Sequence, residues 1–146
     1  MRPEREQLSA LTHGSENFFG QLGAVAPPVF FSSLHVFPTF EEYMKAATGV
    51  DGGAYIYGRV SNPTVRLLEQ KLATLEHGED ALVFSSGMAA ATSAILGTCK
   101  AGDHILCMRD SYRPIHRFMA QVGKPRLNMD ISLVSGQDLQ EVRNQI

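Results

Sequence analysis

Three short strings hold the residues whose types and spacing could do chemistry. Tyr57-Gly58-Arg59 stands just ahead of Asn62-Pro63-Thr64, Ser85-Ser86-Gly87-Met88 joins an apolar run to a small-residue run, and Tyr112 follows the apolar run His104–Met108. Arginine is always charged and presents a planar fork of donors matched to phosphate oxygens; a tyrosine hydroxyl two residues away on an extended segment points to the same side. Tyr57 and Arg59 could therefore complete an anion site, although a surface arginine and a packed tyrosine fit the same residue types. Ser85 to Met88 reads as a strand end running straight into a helix, where unpaired backbone N–H groups and the helix dipole favour an anion. Gly87 lets the backbone come close to a ligand that a side chain would obstruct. A serine-capped helix behind a tight turn, with nothing bound, accounts for that string equally well. Tyr112 falls at the strand end where open parallel sheets bind ligands, placed either to stack on a flat ring or to seal the sheet edge.

Other chemistries find less support. The glycines fit neither the dinucleotide fingerprint nor the Walker pattern, and no lysine follows Gly87 at the phosphate-loop position. Cys99 and Cys107 have no His or Cys near them at ligand spacing, so they read as reduced thiols rather than a zinc site or a disulfide framework. The five histidines pair with no Cys, Asp or second His at metal or triad spacing, read as surface or structural residues, and give no metal site. With 13 Lys and Arg against 15 Asp and Glu, scattered singly, no basic face suggests nucleic acid. The start is charged, and no run approaches the roughly 20 apolar residues of a bilayer span, so a soluble cytoplasmic protein without membrane contact is expected.

Elements able to position these residues follow from the pattern. Residues 1–61 mix Gly, paired Pro and aromatics without a sustained period and read as an extended arm. Its Val29, Phe30, Phe31, Val36, Phe37 and Phe40 are too apolar for a disordered tail, so the arm packs on its own domain or on a second subunit. From residue 62 the chain turns regular. Asn62 caps a helix with Pro63 in its first turn and Val65, Leu68, Leu72 and Leu75 along one face, closed by His77-Gly78. A strand at 81–86, a small-residue helix from 88, and a strand at 104–108 follow. A helix at about 111–122, a strand around 126–131 and a last helix opened by Ser135 or Gly136 continue the alternation. The fold class is therefore α/β, with a mostly parallel sheet. Three strands are few for such a sheet, and the last helix stops at Ile146 without a cap, so the chain looks cut.

Taken together, Thr12-His13-Gly14, the run from Gly23 to Val29, the Tyr-x-Arg-x-x-Asn-Pro-Thr string, Ser-Ser-Gly-Met, the run from Lys100 to Leu106 and Asp110-Ser111-Tyr112 resemble the pyridoxal 5′-phosphate enzymes of cysteine and methionine metabolism. These are the cystathionine synthases and lyases and methionine γ-lyase. The matches recur from Thr12 to about Tyr112 and thin out afterwards. The resemblance implies a fold type I, aminotransferase-like domain, of which residues 62–146 form the first part, incomplete, behind an N-terminal arm that contacts a neighbouring subunit of a homodimer or homotetramer. It implies that Gly87 and Met88 give backbone N–H groups to the cofactor phosphate. Tyr57 and Arg59 then reach the phosphate of the neighbouring subunit's cofactor, and Tyr112 stacks on the pyridine ring. Tyr57 and Tyr112 are the side chains assigned to the catalytic centre.

The implied reaction is elimination or replacement at the β- or γ-carbon of a sulfur amino acid of cystathionine or methionine type, with the cofactor ring as electron sink. It needs a lysine that joins the cofactor as an imine. Lys45, Lys71, Lys100 and Lys124 all lie outside the family's Ser-x-Thr-Lys setting, so this chain alone is expected to be inactive. After the stacking tyrosine the family commonly carries Gly-Gly-Thr, whereas Arg113, Pro114 and Ile115 stand here; that feature resembles β-lyases, while Ser-Gly-Met resembles the γ branch. Two further readings stand beside the first: a non-catalytic partner that docks on a full-length homologue and lends it Tyr57 and Arg59, and a remote aminotransferase-like relative. An incomplete sheet should also expose apolar surface.

Overall fold

The computed structural model describes residues 23–49 and 55–146. Thr12-His13-Gly14 lies outside the described residues. The chain divides into two compact units, Met1–Val83 and Phe84–Ile146.

In the first unit, the arm is not extended throughout. Helix α1 (Phe40–Thr48) is capped by the Thr39 hydroxyl, which accepts from the Glu42 N–H at 3.2 Å, and it ends at Gly49 in the left-handed region. Thr39-Phe40-Glu41-Glu42 is the Thr-x-x-Glu pattern of a capping box. Phe37 meets Tyr43 edge-on at 5.7 Å between ring centroids.

Ahead of α1 the arm is stitched to the segment that precedes the next helix. Leu34 bridges Tyr57 in antiparallel fashion, His35 N–H donates to the Ile56 carbonyl at 3.2 Å, and Gly58 N–H donates to the Ser33 carbonyl at 2.8 Å. Helix α2 (Pro63–Leu75) begins as expected at Asn62, whose Oδ1 accepts from the Thr64 N–H at 2.9 Å. The same amide donates from Nδ2 to the Phe30 carbonyl at 2.9 Å, so one side chain caps the helix and ties the arm to it.

The end of α2 is a Schellman turn: Gly78 N–H reaches the Ala73 carbonyl at 2.9 Å and His77 N–H the Thr74 carbonyl at 3.4 Å. The left-handed position belongs to His77, at φ 55°, and not to the glycine.

Residues 81–86, read from sequence as a strand, carry no ladder among the described residues. Two of their N–H groups have other acceptors. Asp80 Oδ1 takes the Ala81 N–H at 2.8 Å and Glu69 Oε1 takes the Val83 N–H at 3.1 Å.

In the second unit, α3 (Gly87–Thr98) leads to β1 (His104–Met108), α4 (Arg113–Phe118), a π-helical turn (Met119–Gly123), α5 (Lys124–Leu127), β2 (Asp130–Val134) and α6 (Leu139–Asn144). The two strands pair in parallel, His104 opposite Asp130 through Met108 opposite Val134. A β-α-β unit is therefore present, but it runs from β1 to β2, and the sheet has two strands. Met119, Met129 and Val134 form its fully buried apolar centre.

The helix expected to stop near Val122 runs on to Leu127, which moves the following strand from around 126–131 to Asp130–Val134. Pro125 supplies a reason for the π turn. A proline ring collides with the carbonyl four residues earlier, here Gln121, and widening the turn so that Lys124 N–H bonds the Met119 carbonyl relieves it. The last helix opens at Asp138, which accepts from Gln140 and Glu141 N–H, rather than at Ser135 or Gly136.

Candidate cofactor site

Tyr57 and Arg59 belong to the first unit, and they meet by a route other than the extended one expected. Residues 57–60 form a turn in which the Tyr57 carbonyl accepts from Val60 N–H at 2.9 Å and Ser61 N–H at 3.1 Å. The turn folds the Arg59 guanidinium over the Tyr57 ring, 5.1 Å from its centroid. A cation on an aromatic face is held in place without losing its hydrogen-bonding edge, so the fork stays free for an anion.

Gly58, within this turn, lets the arm backbone pack against it and was not singled out in the sequence. A Cβ there would lie 3.0 Å from the Ser32 carbonyl oxygen, so any other residue would push the arm backbone back by a few tenths of an ångström. The signal was its place between the two candidate residues.

An ion-pair network anchors the segment after α2. Arg66 Nη1 donates to Asp80 Oδ1 at 2.7 Å and to Glu69 Oε2 at 3.3 Å, while the buried Glu69 also holds Val83. The hydrogen bond from Arg66 holds the Asp80 carboxyl below its ordinary range, with the Ala81 N–H adding to it; in return Asp80, then Glu69, raises the guanidinium.

Gly87 and Met88 belong to the second unit. Ser86 caps α3, its hydroxyl accepting from the Ala89 N–H at 3.1 Å and its carbonyl accepting from the Ala90 N–H at 3.1 Å. The N–H groups of Gly87 and Met88 have no acceptor among the described residues. A Cβ on Gly87 would meet nothing within 4 Å. Two donors without an acceptor among the described residues thus stand at the positive end of a 12-residue helix, beside open space over Gly87, an arrangement suited to a phosphate dianion.

Tyr112 stands between β1 and α4 and is 64% exposed. Beside it lies a polar cluster that the sequence did not reveal. His116 Nε2 is 2.8 Å from Ser111 Oγ and 3.1 Å from the Met108 carbonyl, and Ser111 Oγ is 3.3 Å from Cys107 Sγ. The histidine and cysteine stand far apart in spacing, and only the turn after β1 unites them. No group of three metal-ligating side chains occurs among the described residues, and no helix there is long and apolar enough to cross a membrane.

The family model for Cys/Met metabolism PLP-dependent enzymes matches residues 9–146. The chain belongs to this family. The match continues past Tyr112 to Ile146, further than the motifs alone reached. Among relatives, the chain is 40% identical over 122 residues to an L-alanine/L-glutamate racemase of Wolbachia pipientis, covering 77% of this chain and 30% of that protein. It is 39% identical over 132 residues to an L-methionine gamma-lyase of Porphyromonas gingivalis, covering 89% of this chain and 32% of that one. A crystal structure of metB from Corynebacterium glutamicum superposes with a TM-score of 0.83 at 28% identity, over 96% of this chain and 34% of that one. The chain spans about a third of the length of the relatives it matches.

The family's cofactor is pyridoxal phosphate, and the residues present fit its phosphate. Open space over Gly87 and the unclaimed N–H groups of Gly87 and Met88 accept an oxyanion without displacing any existing hydrogen bond.

Proposed function

We propose that this chain provides the arm and the phosphate-holding part of an enzyme that eliminates or replaces the thio substituent at the β- or γ-carbon of a sulfur amino acid. The observation that carries the reading is the pair of unclaimed donors at Gly87 and Met88, in a chain whose Tyr-x-Arg-x-x-Asn-Pro-Thr string puts a stacked Tyr57 and Arg59 ahead of α2. Bound pyridoxal phosphate supplies an electron sink for a carbanion at the substrate's α-carbon. The chain's own residues bind and orient. Gly87 and Met88 N–H hold phosphate oxygens, Tyr112 covers one face of the ring, and Tyr57 and Arg59 reach the phosphate in a neighbouring subunit, with the arm as the contact between subunits.

None of Lys45, Lys71, Lys100 and Lys124 is placed in the family's Ser-x-Thr-Lys setting. These 146 residues by themselves are accordingly inactive. Borohydride treatment of the isolated chain with pyridoxal phosphate, followed by peptide mass mapping, should label no single lysine selectively; stoichiometric labelling of one lysine would refute this.

A second reading, racemisation, is favoured by the 40% identity to the alanine/glutamate racemase. Both reactions start with loss of the α-proton; racemisation returns a proton to the opposite face, whereas elimination or replacement expels the thio group. The whole protein, supplied with pyridoxal phosphate, should release a thiol, a keto acid and ammonia from L-methionine or L-cystathionine, or exchange the thio group for an added thiol. Accumulation of D-alanine from L-alanine without thiol release would transfer the assignment to racemisation, and neither product would overturn both.

A further inference from the structure

Tyr112 has little of its own to hold its ring in place. The ring has neither a hydrogen bond nor a ring partner among the described residues, and most of it is exposed. As the residue capping α4 it offers no side-chain cap, since a phenol cannot reach back to the first helical N–H groups. A stacking residue that is free to swing loses conformational freedom when the ligand arrives, which weakens binding.

The backbone around Tyr112 is clasped on both sides. His116 Nε2 lies 3.1 Å from the Met108 carbonyl and 2.8 Å from Ser111 Oγ. A carbonyl oxygen only accepts, so Nε2 carries the proton and shares it between these oxygens. Ser111 N–H also donates to the Met108 carbonyl at 3.0 Å, and its hydroxyl proton is left for Cys107 Sγ at 3.3 Å. The Tyr112 carbonyl accepts from Ile115 N–H at 2.9 Å. The second half of α4 thus reaches back to the last residue of β1, and the turn that presents Tyr112 is closed at its base by one imidazole.

We propose that His116, with Ser111, is a positioning residue for Tyr112: the clasp fixes the turn after β1 so that the exposed ring is already set for stacking. The inference rests on the reading that Tyr112 covers the cofactor ring. It assigns a role to a histidine that touches neither cofactor nor substrate.

The test uses the whole protein with 3-fluorotyrosine at position 112, followed by fluorine NMR, together with titration of pyridoxal phosphate. Tyr112→Ala should weaken the cofactor about tenfold and His116→Ala about threefold, in line with the worth of a stacked aromatic and of a contact acting through a neighbour. In His116→Ala the resonance at position 112 should also shift and broaden. His116→Gln, whose amide N–H can make the same bond, should restore both, and adding His116→Ala to Tyr112→Ala should cost nothing further. Ser111→Ala, which deletes a single oxygen, should move both readouts in the same direction and serves if His116→Ala fails to fold. If Tyr112→Ala weakens the cofactor while His116→Ala and Ser111→Ala leave affinity and resonance unchanged, the positioning role is overturned and the stacking reading survives. If Tyr112→Ala leaves affinity unchanged, both fall.

Discussion

Asn62 carries out two tasks with one amide, and stepwise replacement separates them. Its Oδ1 caps α2 through the Thr64 N–H and its Nδ2 holds the Phe30 carbonyl, each at 2.9 Å. Asn62→Ser keeps a capping oxygen but cannot reach the arm, so it loses one neutral hydrogen bond, about 1 kcal/mol. Asn62→Ala loses the cap as well, about 1 kcal/mol more, for a total of about 2 kcal/mol. Water can reach the Phe30 residue left behind, which is 38% exposed, so no desolvation penalty is added. Equilibrium urea unfolding should give midpoints in the order Asn, Ser, Ala with an unchanged slope. Limited proteolysis between Pro28 and His35 should be faster in both variants, because both lose one of the bonds that tie the arm to α2. A serine variant as stable and as resistant as the parent, or an alanine variant no worse than serine, would refute the division of labour.

Two further predictions concern the same unit. His77 occupies a left-handed position at φ 55° that costs a side-chain-bearing residue about 1 kcal/mol, so His77→Gly should raise the thermal midpoint by a few degrees; a lowered midpoint would show that the histidine's own contacts outweigh the strain. The Asp80 carboxyl lies below its unfolded value because Arg66 and the Ala81 N–H favour its charged form. Its stabilisation is therefore present above the unfolded pKa, near 3.8, and is lost as pH falls through the folded value. Asp80→Asn should flatten that acid limb of a stability–pH profile and leave the limb above neutrality alone. An unchanged acid limb would contradict the assignment.

Much of the site was legible because its signals are local. Asn62 and Pro63 announce a helix start whatever surrounds them, and Ser86-Gly87 announces another. What failed depends on partners distant in sequence. Whether a run such as 81–86 joins a ladder depends on partners outside it, and here Asp80 and Glu69 take the N–H groups of Ala81 and Val83. Helix α1 had its capping box in plain view, but flanking prolines, glycines and aromatics hid the period. The displaced β2 traces to Pro125, which does not end the helix but is absorbed by a π turn. The contact of Arg59 with Tyr57 was anticipated as a shared side of an extended segment, and the turn at Gly58 achieves it differently. His116 could not have been found from spacing, since its role arises only where α4 folds back on the end of β1.

Phosphate binding by the N-terminus of α3, as proposed, is tested most directly by comparing pyridoxal phosphate with pyridoxal for the whole protein and for Gly87→Val. Two charge-assisted hydrogen bonds of about 1.5 kcal/mol each make the phosphorylated compound about 100-fold tighter in the parent. A Cβ at 87 meets nothing within 4 Å, so the variant should fold with an unchanged thermal midpoint while that ratio falls towards one. Equal affinities for the two compounds in the parent, or an undiminished ratio in the folded variant, would contradict the account.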